Sequence, residues 1–179
     1  LTNSILKTDI ALKSMTSKER LTISGLVPLS IDGPLDLKVE SHGDGISFLD
    51  GLTNEFIDWK SGSVDLKLLI KGTPSKPLAN GFLVFRQGTF LLNEELVEDF
   101  ESTIVFDFNR VDVQKLSARI GKDGSINGNG TIPLFREEEK VEKGLMFEMK
   151  SIDIKTSRSS FLLSSDLAVK GAAIKPELG

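Results

Sequence analysis

The feature that most constrains the fold is an alternation of apolar and polar residues with a period of two. Between positions 64 and 71 the even positions are apolar and most odd positions are charged, and the pattern recurs between positions 161 and 170. Successive side chains of a strand point to opposite sides, so this period predicts strands with one buried and one wet face. Such strands are typical of antiparallel sheets, and the sequence therefore predicts an all-β fold.

The alternation also changes phase along the chain. Even-numbered apolar residues in 104–108 give way to odd-numbered ones in 111–113, and odd-numbered ones in 145–149 give way to even-numbered ones in 152–154. A change of phase requires a turn or a bulge if the apolar side chains are to stay on one face. We therefore predict a strand end at each change, the first of them near Asn109-Arg110.

One phrase occurs twice in the sequence. Gly72–Gly81 and Gly171–Gly179 each follow a strand-like run and read as Gly, a short connector containing Pro and Leu, and a second Gly. A repeated strand-and-connector unit predicts a stacked β architecture with long surfaces. Because the second copy stops where the first continues into a strand, and because residue 1 is Leu, we expect residues 1–179 to form a single β-rich segment of a longer stacked-β protein.

Two other segments carry local signals. In 46–59 the apolar residues fall at helical spacing, Ser47 precedes Asp50 as in a capping box, and Ser61-Gly62 would end a helix. We predict one short amphipathic helix near 46–59. The glycine-rich stretch Gly121–Gly130 is interpreted as a hairpin turn.

The composition limits the function classes. The chain has 22 basic and 26 acidic residues, no cysteine, one histidine and no basic stripe with interleaved aromatic residues. These counts disfavour thiol chemistry, zinc-cysteine sites and a nucleic-acid partner. His42, in Ser41–Gly45, has the neighbours of a turn rather than of a catalytic triad. We expect no enzymatic activity, no catalytic residue, no metal and no cofactor.

The order of these strand phrases resembles the conserved C-terminal region of TamB-like proteins, the translocation and assembly module subunit family that includes plastid-envelope relatives. The phrases that carry the resemblance lie in one order along most of the chain: Ser24–Pro28, Ser61–Val64, Gly72-Thr73, Pro77-Leu78, Gly81, Gly88–Leu92, Ile104–Phe106, Val111–Val113, Lys115–Ala118, Gly121–Ile126 and Gly128–Pro133. The single predicted helix before Ser61 also fits that order.

The resemblance implies a fold and a function. Such proteins form a folded-over β-sheet, a taco-like half-pipe with an apolar interior, in the periplasm or intermembrane space, and the parent protein is anchored in the inner membrane. The family is associated with an Omp85-type outer-membrane barrel partner similar to TamA, with assembly of outer-membrane proteins and with movement of phospholipid between the membranes. The partners implied are phospholipid acyl chains or unfolded outer-membrane protein strands.

Apolar residues of the strands are the candidate groove residues. They are Leu66, Leu68, Ile70, Val84, Phe90, Ile104, Phe106, Phe108, Phe147, Ile152, Ile154, Leu163 and Leu167. Periodicity alone also allows these residues to fill the core of a closed sandwich. An adhesive or polysaccharide-binding β-solenoid is the alternative function, although one Trp and no Tyr make the chain poor in residues that stack on sugars. Cutting a stacked sheet would expose strand edges, through which the isolated segment could dimerise.

Overall fold

The computed structural model describes residues 4–15, 17–47, 57–92, 94–134, 144–155, 160–172 and 175–178. Eleven strands form one sheet in chain order. They are β1 (Ile5–Leu12), β2 (Leu21–Pro28), β3 (Leu35–Gly43), β4 (Ile57–Thr73), β5 (Lys76–Leu92), β6 (Glu95–Phe108), β7 (Arg110–Ile120), β8 (Gly124–Pro133), β9 (Leu145–Lys155), β10 (Ser160–Ala172) and β11 (Lys175–Leu178). The predicted all-β class is confirmed.

Every strand pairs antiparallel with its neighbours in sequence. The sheet is therefore an open meander that folds over one of its faces, with β1 and β11 at its two edges. Ten spacings between eleven strands make it about 48 Å wide across the strands. Within the part of the chain that the structure describes, no helix is long and apolar enough to cross a membrane.

The repeated phrase occupies two equivalent hairpins. Thr73 pairs with Lys76 across a two-residue turn, and in both copies a glycine lies opposite a proline: Gly72 opposite Pro77, and Gly171 opposite Pro176. The connector predicted from the sequence is thus the turn itself, and the second glycine of the first copy, Gly81, lies inside β5. The repeat encodes the same hairpin register twice.

Five strands contain one extra residue relative to their neighbours. These bulges fall at Lys60 in β4, Gln87 in β5, Asp99 in β6, Gln114 in β7 and Ser151 in β9. Gln87, Asp99 and Ser151 have φ angles of 53°, 52° and 50°, the left-handed conformation that lets a bulge reverse the alternation. Because of each bulge, the apolar side chains that follow it lie on the same face of the sheet as those that precede it.

Of the two strand ends predicted from the changes of alternation, one is confirmed and one is replaced by a bulge. The first predicted strand end is confirmed, because β6 ends at Phe108 and β7 begins at Arg110. The second is wrong, because β9 continues through its bulge at Ser151 to Lys155. The Gly121–Gly130 stretch is a turn only as far as Asp123, and the rest of it lies in β8.

The predicted helix near 46–59 is wrong at its C-terminal end. Ile57–Trp59 belong to β4, where Trp59 pairs with Phe90. At the N-terminal end of the range, Ile46 lies in a turn, and residues 48–56 lie outside the described residues.

Candidate functional site

The two faces of the sheet differ sharply in chemistry. Residues paired across an antiparallel ladder project on the same side, so the register assigns every strand residue to a face. One face, here called the apolar face, carries Leu, Ile, Val, Phe, Ala, Gly, Trp59, Met149, Pro77 and a few Ser and Thr residues. In the described strands, Glu95 at the start of β6 is the one charged residue placed on it. The opposite face, here called the charged face, carries the ion pairs.

Apolar residues line up in rows that cross the sheet perpendicular to the strands. The longest row crosses all eleven strands, from Leu12 through Leu21, Ser41, Leu66, Leu83, Ile104, Val113, Gly130, Leu145 and Val169 to Leu178. A second row runs beside it through Ile10, Ile23, Val39, Leu68, Gly81, Phe106, Val111 and Ile132. An apolar molecule lying along the longest row would contact the half-buried side chains of Leu66, Leu83 and Ile104.

The structure brings most of the candidate groove residues together. Twelve of the thirteen lie on the apolar face by register: Leu66, Leu68, Ile70, Phe90, Ile104, Phe106, Phe108, Phe147, Ile152, Ile154, Leu163 and Leu167. Val84 is the exception, since it pairs with Asp65 and lies on the charged face. Phe108 sits at the end of its strand with a φ of 55° and is 56% exposed. A role in cargo binding stays a prediction for each of them.

The apolar face is only partly covered. Its mid-strand residues Leu66, Leu68, Ile70 and Phe106 are half-buried, whereas the centre of a closed sandwich would bury such side chains completely. Among the described residues, the buried hydrophobic cluster is small and consists of Val111, Val113 and Ile132, with neighbours from β6 to β9 packed against it. This distribution of burial favours an open trough over a closed core.

Aromatic rings close one side of the trough beside the adjacent bulges of β4, β5 and β6. Trp59 stacks on Phe90 with ring centroids 5.8 Å apart, and Phe100 meets Phe85 and Phe90 edge-on at 5.2 and 5.5 Å. Gly88 makes room for them, because a Cβ there would lie 3.1 Å from the Cβ of Phe100 and 3.3 Å from the indole ring of Trp59. We call these four rings the aromatic corner.

Buried residues of the apolar face also lie beside this corner. Val64 is 0% exposed and Ser102 is 1% exposed, and both lie in the row that contains Phe85. The corner is therefore packed in the manner of an ordinary core, and the half-exposed rows begin next to it. Packed edge-to-face rings contribute about 0.5–1.5 kcal/mol each beyond their buried area.

The charged face carries a series of ion pairs between neighbouring strands or residues. They are Lys38–Glu40, His42–Asp65, Arg86–Asp65, Lys60–Asp58, Lys71–Asp36, Lys115–Glu101, Arg119–Glu98, Arg119–Asp99 and Lys150–Glu148. Exposed pairs of this kind contribute little to stability. Their position matters more, because it keeps charge away from the apolar face.

The chain's single histidine lies in this charged network rather than in the predicted turn. His42 belongs to β3, and its Nδ1 atom lies 3.1 Å from Oδ1 of Asp65. Hydrogen bonds from Arg86 and then from His42 lower the pKa of Asp65. Among the described residues, no group of three or more His, Cys, Asp or Glu side chains is placed to hold a metal ion.

The charged face also has a groove of about 560 Å³. Phe82, which is 40% exposed, and Val105 form its apolar part, and Asp107, Arg110 and Asp112 are among its polar residues. The Oγ1 atom of Thr131 donates a hydrogen bond of 3.1 Å to Asp112 there. The groove lies on the opposite side of the sheet from the apolar face.

Sequence reasoning missed the contribution of β1 to β3 and the aromatic corner. Apolar residues alternate in 6–12, 21–27 and 35–39 with the same period of two, and that signal was sufficient to place them on the apolar face. The aromatic corner had no such signal. Phe85 and Phe90 differ in parity and reach one face only because of the bulge at Gln87.

Comparison with known proteins finds two distant relatives. Protein SUBSTANDARD STARCH GRAIN 4, chloroplastic, of Oryza sativa subsp. japonica is 23% identical over 150 residues, which are 82% of this chain and 7% of that protein. Protein TIC236, chloroplastic, of Arabidopsis thaliana is 21% identical over 150 residues, with the same coverage of both chains. The chain thus spans about 7% of the length of these relatives. No family model matches the chain, and no solved structure matches it.

Proposed function

We propose that the apolar face is a trough that carries the acyl chains of phospholipids. The observation that supports this most directly is the pair of apolar rows, which lack charged residues and whose members in β4, β5 and β6 are only half-buried. Each methylene group of an acyl chain that leaves water for such a surface contributes about 0.8 kcal/mol. A row of similar weak contacts lets an acyl chain bind without being held at one point.

We propose further that the chain is a segment of a TamB-like protein. Three observations support it: the order of strand phrases, the folded-over antiparallel sheet, and the similarity to two proteins whose names place them in chloroplasts. The parent protein would be anchored in an inner membrane and would cross the periplasm or an intermembrane space. Its partner would be an Omp85-type, TamA-like barrel protein in the outer membrane.

A second cargo is favoured by the edge of the sheet. In the described structure β1 pairs only with β2, and its apolar-face residues Leu6, Ile10 and Leu12 are 56%, 44% and 37% exposed. An unfolded outer-membrane protein strand that paired with β1 would satisfy the free backbone groups and extend the apolar rows by one rung. Two copies of this chain could pair through the same edge.

Polysaccharide binding receives less support. The chain's single Trp, Trp59, is stacked on Phe90 in the aromatic corner, and the chain has no Tyr. In the described strands, Glu95 is the one carboxylate placed on the trough's face, whereas a sugar-binding groove would require several to bind hydroxyl groups.

The test of the acyl-chain proposal is equilibrium binding of a fluorescent phospholipid to delipidated protein. We expect Leu66→Asp and Phe106→Asp to weaken binding, because each would place a carboxylate in an apolar row. Val84→Asp is the control, since Val84 lies on the charged face of the same sheet. No binding to the native protein, or equal binding by all three variants, would remove the proposal.

A further inference from the structure

The edge strand β1 turns the backbone groups of every second residue away from the sheet. The N–H of Leu29 donates a hydrogen bond of 2.9 Å to Ser4 O, and the register of β1 with β2 then runs without a shift. Hydrogen-bonded and non-hydrogen-bonded pairs alternate in an antiparallel ladder, so the even-numbered residues of β1 bond to β2. Pro28, which has no N–H, lies opposite Ile5 and agrees with this parity. The residues whose N–H and C=O groups face the open edge of the described sheet are Ile5, Lys7, Asp9 and Ala11.

β1 lacks the usual features that protect an edge strand from pairing. Edge strands are commonly very short, bulged, interrupted by proline or marked by an inward-pointing charge. β1 has 8 residues, none of them proline, and every one except Thr8 is exposed. Its two charged residues, Lys7 and Asp9, lie on the charged face, and neither is ion-paired with another described residue. The edge therefore suits a strand that carries the opposite charges at matching positions.

The sequence of β1 is complementary to itself when two copies run antiparallel about a two-fold axis at Thr8. This register places Lys7 of each copy opposite Asp9 of the other. It also places Ile5 opposite Ala11, so the residues that face the edge meet one another and form about eight ladder hydrogen bonds. An axis moved by one residue would place Lys7 opposite Lys7 or Asp9 opposite Asp9, and like charges directly opposite are destabilising. Charge therefore selects the register centred on Thr8.

The apolar face of β1 matches in the same register. Leu6 and Ile10 lie on this face and are 56% and 44% exposed. The axis at Thr8 places Leu6 of each copy opposite Ile10 of the other, in a non-hydrogen-bonded pair whose Cα atoms are about 4.5 Å apart. Pairing would cover both aliphatic side chains and continue the second apolar row from Ile10 to Leu6 of the second copy.

We propose that two copies of this chain form a dimer by antiparallel pairing of β1 with β1 about Thr8. The interface is isologous, since each copy contributes the same residues to it. Residues paired across a ladder project on the same side, so the two sheets join with their apolar faces continuous. The dimer requires the β1 edge and not the binding of acyl chains, so dimerisation and the proposed acyl-chain function can each fail alone.

The experiment is sedimentation velocity of the native protein and of charge variants over a series of concentrations. We expect K7D and D9K each to raise the dimer dissociation constant at least about tenfold, because the two-fold axis turns each substitution into two like-charge pairs. The double variant K7D/D9K restores opposite charges in both pairs and should return the constant to within about threefold of the native value. Thermal unfolding should show that all three variants fold, since Lys7 and Asp9 are exposed. A monomeric native protein, an unchanged constant in K7D, or a double variant no better than the single ones would overturn the proposal.

Disulfide cross-linking tests the register directly. The chain has no cysteine, so a single introduced one forms a disulfide only between copies. T8C should give a covalent dimer on mild oxidation, because the two Cα atoms at this position would be about 4.5 Å apart, within the range that a disulfide spans. K7C is the matched control and should remain uncross-linked, since Lys7 lies opposite Asp9. Cross-linking of K7C in place of T8C, or of neither variant, would overturn pairing about Thr8.

Discussion

Leu68 and Leu69 offer a sharp test of the assignment of faces. They are adjacent, identical in type and both half-buried. Leu68 lies on the apolar face between Val39 and Gly81, whereas Leu69 lies on the charged face between Lys38 and Asn80. Replacing each in turn with Asp applies the same chemical change to opposite sides of one strand.

The expected difference follows from what each side chain would contact. Burial of a whole Leu side chain contributes about 1.5–3 kcal/mol, so cargo that covers the exposed half of Leu68 gains about 1 kcal/mol there. Leu68→Asp loses this contact and places a carboxylate beneath an acyl chain. Removing that carboxylate from water adds a further unfavourable binding free energy unless the carboxylate takes up a proton. A total of at least about 2 kcal/mol corresponds to about a thirtyfold rise in Kd.

Leu69→Asp should leave the Kd for phospholipid within about threefold of the native value, because its carboxylate would face Lys38 in water. The assay is titration of delipidated protein with fluorescent phospholipid, with thermal unfolding measured on both variants so that loss of folding is not read as loss of binding. Equal affinities in the two folded variants would refute the assignment of cargo to the apolar face. A larger loss in Leu69→Asp would show that the faces are reversed.

Two further predictions concern stability. Gly81→Ala should lower the free energy of unfolding by about 3 kcal/mol, because a Cβ there would lie 1.9 Å from the Lys67 carbonyl oxygen at a φ of 149°. Gly121→Ala should lower it by only about 1 kcal/mol through its positive φ, because the added Cβ meets nothing closer than 3.6 Å. Equal losses of stability for the two variants in denaturant titrations would contradict the clash at Gly81. Asp44 accepts hydrogen bonds from the backbone N–H groups of Lys18 and Glu19, which lower its pKa. Its contribution, about 1 kcal/mol, is therefore complete above the ordinary carboxyl pKa and is lost as the pH falls through the lowered value. Asp44→Ala should unfold at lower temperature than the native protein at neutral pH and at nearly the same temperature in strong acid; a gap that stayed constant with pH would count against this role for the carboxylate.

The period of two was sufficient to predict the fold class and most of the apolar face. A residue such as Leu66, Ile104 or Leu167 lies in a regular stretch of strand, where alternation alone determines the face. Antiparallel pairing then brings these stretches together because neighbouring strands are joined by short turns. The face on which these residues lie depends only on their near neighbours in the sequence, so it can be predicted from one sequence.

The bulges are the part that alternation could not supply. Val84 and Phe90 have the same parity in the sequence, and both were predicted to line the trough. The extra residue Gln87 lies between them, so Phe90 joins the apolar face and Val84 joins the charged one. Whether a strand inserts a residue at a given point depends on its neighbours in the sheet, and the sequence of one strand does not show it.

The bulges also show what the apolar face is built to preserve. All five inserted residues are polar or charged, and after each one the strand returns its apolar residues to the same side. A protein that needed only a compact core would require this return of apolar residues to one side only near the centre of the sheet. Here the longest row instead continues to Leu12 on one edge strand and Leu178 on the other. Because both ends of that row lie on edge strands, an added strand that placed an apolar residue opposite Leu12 or Leu178 would lengthen it. An apolar surface that can be lengthened in this way suits movement along it better than retention at one point.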